Sequence, residues 1–163
     1  MAHNELALPL YELGEKATEA MGTLAETGIA DDLVILYTQF ATQGVNRDSV
    51  SIQSFAPQQL GETLTFEVEI NPLYPLVSFA SMLVNTNDAF VGVSGLRLTE
   101  AVTLLAPAYD AGTEWNNELC SYIPGPACNM TSGNLRSTEN AEGVVRILLM
   151  ALCNLSNLFQ VAS

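Results

Sequence analysis

The stretch TLTFEVEI, residues 63–70, alternates without a break, with Leu64, Phe66, Val68 and Ile70 on one side and Thr63, Thr65, Glu67 and Glu69 on the other. A period of two marks a strand with one face on a core and the other in water, the usual condition of an antiparallel sheet. A helix cannot gather those four apolar side chains, because its neighbours recur at three and four residues. The middle of the chain repeats the theme. RDSVSIQSF (47–55) alternates, and VSFASMLV (77–84) is apolar on both faces, as a central strand is. AFVGVSGLRL (89–98) and AVTLLAPAY (101–109) continue it across Ser-Gly and Thr-Glu breaks. Several short strands at this spacing predict an all-β antiparallel sandwich.

Helices are expected only ahead of these strands. LYELGEKATEAMGTLAETG (10–28) places Leu13, Ala17, Ala20, Met21 and Leu24 at roughly helical spacing, and Gly28 closes the pattern. A second short helix starts at Asp31, whose carboxylate can cap DLVILYTQF, and runs toward the turn signal Gly44-Val45-Asn46. Near the end, GVVRILLMALCNLSNLF reads as a buried strand or helix. Its apolar core is shorter than the ~20 residues of a membrane span, and Arg146, Asn154 and Asn157 interrupt it. The 163 residues suffice for one domain, 1–163, with a sizeable core.

Charge narrows the function. Eighteen acidic residues against 5 basic ones leave a net charge of −13, which repels phosphate backbones and anionic lipid surfaces. Nucleic acid is therefore disfavoured as a partner. The lone histidine, His3, lies in an N-terminal stretch expected to fray. Without a positioned imidazole there is no Ser-His-Asp or Cys-His site, and no His-rich zinc site. A metal would be held by oxygen, the preference of calcium. Cys120 and Cys128 bracket SYIPGPA, a loop short enough for a disulfide that leaves Cys153 odd; the alternative is three buried thiols. Asn129-Met130-Thr131 and Asn154-Leu155-Ser156 match the glycosylation sequon. MAHNELALPL lacks the basic start and long apolar region of a signal peptide, so export requires a leader beyond these residues.

Two loops concentrate oxygen: NTNDAF (85–90) and YDAGTEWNNE (109–118). Neither matches an EF-hand, whose acidic spacing and closing Glu are absent. Two loops at one end of a sandwich can pool ligands all the same, and two strands' worth of chain between Asp88 and Asp110 can return the second loop to the first. The plain alternative is that Asn and Asp serve local turns. Glu67 and Glu69 read as a solvated strand face, and Trp115 as a packing residue beside a loop. Glycoside hydrolysis needs two acids flanking a cleft, and no pair stands out for it.

At these loops the chain resembles the spondin N-terminal domain family. The residues that carry the likeness are SMLVNTNDAFVGVSGLRL, then PAYDAGTEWNNE and IPGPAC, with LYELGEKATEAMGTLAETG similar to the opening of short bacterial members. The resemblance covers roughly residues 9–143. It implies a C2-like antiparallel β-sandwich with one or two short N-terminal helices, an extracellular location, and binding rather than catalysis. It also implies a calcium ion at one end, with Asp88 and Asp110 as main ligands and Glu114 as the third. Partners would be matrix, a cell-surface protein or a glycan, in an adhesive role. Two departures are expected to matter. Ser94-Gly95 stands where animal members often carry a further acid in the turn after FVGV, and the segment after Gly143 lacks the family's His-containing strand.

Overall fold

In the computed structural model the described residues are 1–41, 63–68, 70, 72–100, 102–117, 119–128, 143–148 and 158–162. RDSVSIQSF, Glu69, the Gly44-Val45-Asn46 turn, Cys153 and both sequons lie outside them. Two strands form the centre, β3 (Leu76–Met82) and β4 (Ala89–Arg97), paired antiparallel across the NTND turn. Around them the sheet has the order β1-β3-β4-β6-β7, with β1 Ala2–His3, β6 Ala108–Asp110 and β7 Arg146–Ile147, every pairing antiparallel. A second sheet has the order β2-β8-β5, from Thr63–Glu67, Leu158–Ala162 and Val102–Leu105. AVTLLAPAY is thus two strands in two sheets. The antiparallel expectation for TLTFEVEI is corrected here: β2 runs parallel to β8, because a segment 95 residues further along the chain pairs with it rather than a hairpin partner.

The helices cover one face of the five-stranded sheet. Helix α1 spans Glu19–Thr27 and α2 spans Asp31–Ala41. The first was expected from Leu10, and it starts nine residues later for two local reasons. The Thr18 hydroxyl caps it by accepting from the Met21 N–H at 3.1 Å. Upstream, the Gly14 N–H donates to Val145 O at 2.9 Å and Val145 N–H to Glu15 O at 2.8 Å, so the backbone is spent on a distant segment. Gly28 ends α1 in the left-handed region, as expected. Met21, Leu24, Ala25, Leu33 and Tyr37 pack with Phe90, Tyr109 and Val145. Tyr11 joins Phe90 and Tyr109 with ring centroids 4.9 and 4.7 Å away. Since β4 alternates, Val91 faces the other side, against Ala106, Phe79 and Val93.

His3 is not frayed. It lies in β1 opposite Leu76 and is buried. Its Nδ1–H donates to Asn4 O at 2.8 Å, which leaves Nε2 to accept from the Ser78 hydroxyl at 2.7 Å. Ser78 Oγ in turn accepts the Gly95 N–H at 2.9 Å. That bond closes a β-bulge: Ser94 and Gly95 together oppose Ser78, with Gly95 at φ 69°. The Ser-Gly pair is therefore a bulge inside β4 and not a turn. Burial lowers the His3 pKa below its ordinary 6.5, partly offset by the Asn4 carbonyl. A depressed histidine costs nothing above that value and costs stability as pH falls through and below it, because the folded state resists the proton. The melting temperature is expected to drop between pH 7 and 5, and His3→Gln to flatten that drop. Equal slopes in both proteins would clear His3 of the role.

Candidate functional site

The two oxygen-rich loops do meet. Antiparallel pairing sets Ala89 opposite Asp110, so Asp88 leads into β4 where Asp110 ends β6. The Ala111 N–H donates to Asp88 O at 3.1 Å, continuing the ladder one step past the strand. Asp88 and Asp110 are 1% and 2% exposed, and Glu114 is 3% exposed with both carboxylate oxygens sealed from water. Three buried acids in one loop cluster need strong compensation, since desolvating a carboxylate is costly.

Part of that compensation comes from the AGTE turn. Asp88 Oδ2 accepts the Thr113 N–H at 2.7 Å, the Glu114 N–H at 3.0 Å and the Thr113 hydroxyl at 3.3 Å. Asp110 Oδ1 accepts the Gly112 N–H at 2.7 Å, and its Oδ2 accepts the Asn116 amide at 2.6 Å and Arg146 Nε–H at 3.2 Å. Burial still raises the Asp88 pKa, and the Asp110 charge adds to it, although the turn's N–H groups pull the other way. Gly112, at φ 71°, lets the turn bend back beneath residues 143–144, where the Gly143 N–H donates to Gly112 O at 2.9 Å.

Other expected oxygens are spent on structure. Thr86 closes its own turn, accepting from Ala89 N–H and donating to Leu83 O. Asn85, at φ 68°, holds the loop between the cysteines: its Oδ1 accepts the Ala127 N–H and its own N–H donates to Pro124 O. That loop is closed by the expected Cys120–Cys128 disulfide, with Cα atoms 5.0 Å apart. Asn117 Oδ1 accepts from Leu119 N–H. Trp115 does not pack, being 61% exposed.

Sequence reasoning missed two charged residues here. Glu26 of α1 is 4% exposed. A Cβ built on Gly22 would lie 3.6 Å from Glu26 Oε1 and 3.0 Å from Thr113 Cγ2, so this carboxylate borders the same turn. An acid one turn after a glycine on the apolar face of α1 was the available signal. Arg146 pairs with Asp110, Nη2 to Oδ2 at 3.2 Å. Its side chain is 63% exposed while Asp110 is sealed.

The Spondin_N family profile matches residues 1–123, three quarters of the chain. The chain belongs to the spondin N-terminal family. No curated protein matches it. The spondin match contains β1 to β6, both helices and all three acids, so it begins before the resemblance read from residue 9 and ends before Gly143. It stops short of Arg146, which lies in the segment already noted as divergent. Among the described residues no helix is long and apolar enough to cross a membrane.

Calcium fits this spondin site in the chemistry of its donors, which are all oxygen. Asn87, 6% exposed and directly beside Asp88, has a buried amide nitrogen with no hydrogen-bond partner among the described residues, and as an N–H donor it is no ligand for a cation. The spacing is another matter. Among the described residues no three of His, Cys, Asp and Glu are grouped to hold a metal ion. Asp110 is moreover engaged on both oxygens, by Gly112, Asn116 and Arg146.

Proposed function

We propose that this spondin domain is a secreted calcium-binding recognition module of C2-like sandwich form, acting by adhesion to an extracellular protein or glycan. The observation that carries the reading is the burial of Asp88, Asp110 and Glu114 in one cluster at the joined ends of β4 and β6. Holding calcium would require the three carboxylates to draw together from the spacing described above, and the ion would then supply the positive charge that favours their burial. The family is one of extracellular domains, and the disulfide suits an oxidising compartment. Binding is favoured over hydrolysis because the acids are sealed from solvent rather than flanking a cleft. An open cavity of about 270 Å³ lies instead at the β1 edge, lined by His3, Glu5, Glu12 and Ser94 among others.

Thermal melts of metal-stripped protein test this. A ligand at 100 times its Kd stabilises by about 2.7 kcal/mol, roughly 5–10 °C for a domain of this size. Millimolar calcium is expected to give that rise, and Asp110→Asn to remove most of it. An unchanged melting temperature in stripped protein would overturn the calcium reading.

A further inference from the structure

The chain's sole tryptophan, Trp115, stands 61% in solvent on a backbone that has little freedom. Just before it, the Thr113 and Glu114 N–H groups are held by Asp88 Oδ2 at 2.7 and 3.0 Å. Just after it, the Asn116 amide donates to Asp110 Oδ2 at 2.6 Å, and the Asn117 N–H donates to Trp115 O at 2.7 Å. Beneath the same turn, the Gly143 N–H donates to Gly112 O at 2.9 Å. The two sealed aspartates thus clamp the loop on either side of the ring. A side chain presented from a pinned backbone gives up little further freedom when it binds, which is the economy of a preorganised site.

The groups around the ring are polar and equally fixed. Asn116 and Arg146 donate to the same oxygen of Asp110, so they are neighbours. Asn116 spends its amide nitrogen on that bond and keeps Oδ1 as an acceptor. Arg146, 63% exposed, keeps its outer N–H groups as donors. We propose that Trp115, Asn116 and Arg146 form a subsite for a neutral sugar ring. The electron-rich face of the indole takes the sugar's C–H face, while a ring hydroxyl donates to Asn116 Oδ1 and another accepts from Arg146. Sugar hydroxyls do both, which suits an acceptor and a donor set side by side. An anionic sugar is disfavoured, because the Arg146 charge is already spent on Asp110 and the chain carries −13. A protein hot spot is ringed by contacts that exclude water, whereas here an amide and a guanidinium flank the ring. The subsite deepens the recognition reading above and is independent of its calcium part.

The test is run on the full chain in chelator. Excited at the red edge, where tyrosine does not absorb, the emission comes from Trp115 alone. Lactose, maltose, cellobiose and diacetylchitobiose are titrated in turn, with a heparin disaccharide as the anionic arm. At least one neutral sugar is expected to shift the emission to saturation, and the heparin disaccharide to bind more weakly. By calorimetry, Trp115→Ala should bind that sugar roughly tenfold more weakly, from the loss of the stacked face. Arg146→Gln should weaken it several-fold, by one hydrogen bond. Trp115→Ala should melt as wild type does, because the ring is exposed, so its loss of binding is not a loss of fold. No response to any neutral sugar, tighter binding of the heparin disaccharide, or full affinity in Trp115→Ala would each overturn the subsite. Adhesion to immobilised extracellular matrix separates this failure from that of the recognition reading. Binding that depends on Trp115 but survives glycosidase treatment of the matrix would overturn the sugar and assign the loop to a protein partner. No adhesion and no sugar response would overturn both.

Discussion

Gly112→Ala is expected to be among the most damaging single substitutions in this chain, lowering stability by about 3 kcal/mol or more. Two costs combine. The residue sits at φ 71°, where any Cβ is strained by about 1–2 kcal/mol. The added carbon would also lie 2.6 Å from Val144 N and 2.8 Å from both Gly143 C and Val144 O. These are backbone atoms that no rotamer change can clear. Gly143 is reciprocal, since its own Cβ would lie 2.6 Å from Gly112 O. Yielding would pull residues 143–146 off the turn and take Arg146 from Asp110. Gly14→Ala isolates the first cost: φ is 84° there and nothing lies within 4 Å. Urea or thermal unfolding should show a loss of roughly 1 kcal/mol for Gly14→Ala and a loss several times larger for Gly112→Ala. Equal losses would mean that strain alone acts and that the close crossing of the two backbones is unimportant.

That crossing marks where reading the sequence ran out. DAG in YDAGTE was legible as a turn, and NTNDAF as its partner, because strand spacing placed both at one end. The strand count was wrong, yet the conclusion held. The chain between them makes three strands, with β5 in the other sheet, and β6 still returns antiparallel beside β4. The second backbone over Gly112 comes from residues 143–144, and no local pattern announces it. The same distant segment removed residues 14 and 15 from the expected first helix, through bonds to Val145. His3 was misjudged for a similar reason. A two-residue strand carries no periodicity, and the partners that satisfy His3 lie 75 residues away at Ser78, which in turn meets Gly95 at the β4 bulge. Local rules thus located the acids, while long-range pairing decided what neutralises them. β2 makes the point for the sheet: alternation identified the strand, but its parallel partner β8 lay at the far end of the chain.

Asp88 should separate hydrogen bonding from charge within the cluster. Its Oδ2 is the acceptor for two backbone N–H groups of the AGTE turn, and the residue is 1% exposed. Asp88→Ala leaves both donors buried without an acceptor, each costing about 1–3 kcal/mol, and opens a small void besides. A loss of about 3–5 kcal/mol is expected, read as a shifted urea midpoint with an unchanged slope. Asp88→Asn keeps an oxygen of the same reach and removes the charge. Because burial and the Asp110 charge already disfavour the ionised carboxylate, losing that charge relieves a cost while weakening the bonds to the turn. The two effects oppose, and the Asn variant in chelator should lie within about 1 kcal/mol of wild type. Calcium should stabilise neither variant as it does wild type, since neither supplies the Asp88 carboxylate. A large loss for Asn in chelator would show that the charge itself holds the turn. A full calcium response in Asn would remove Asp88 from the ligand set and leave it as the residue that shapes the loop.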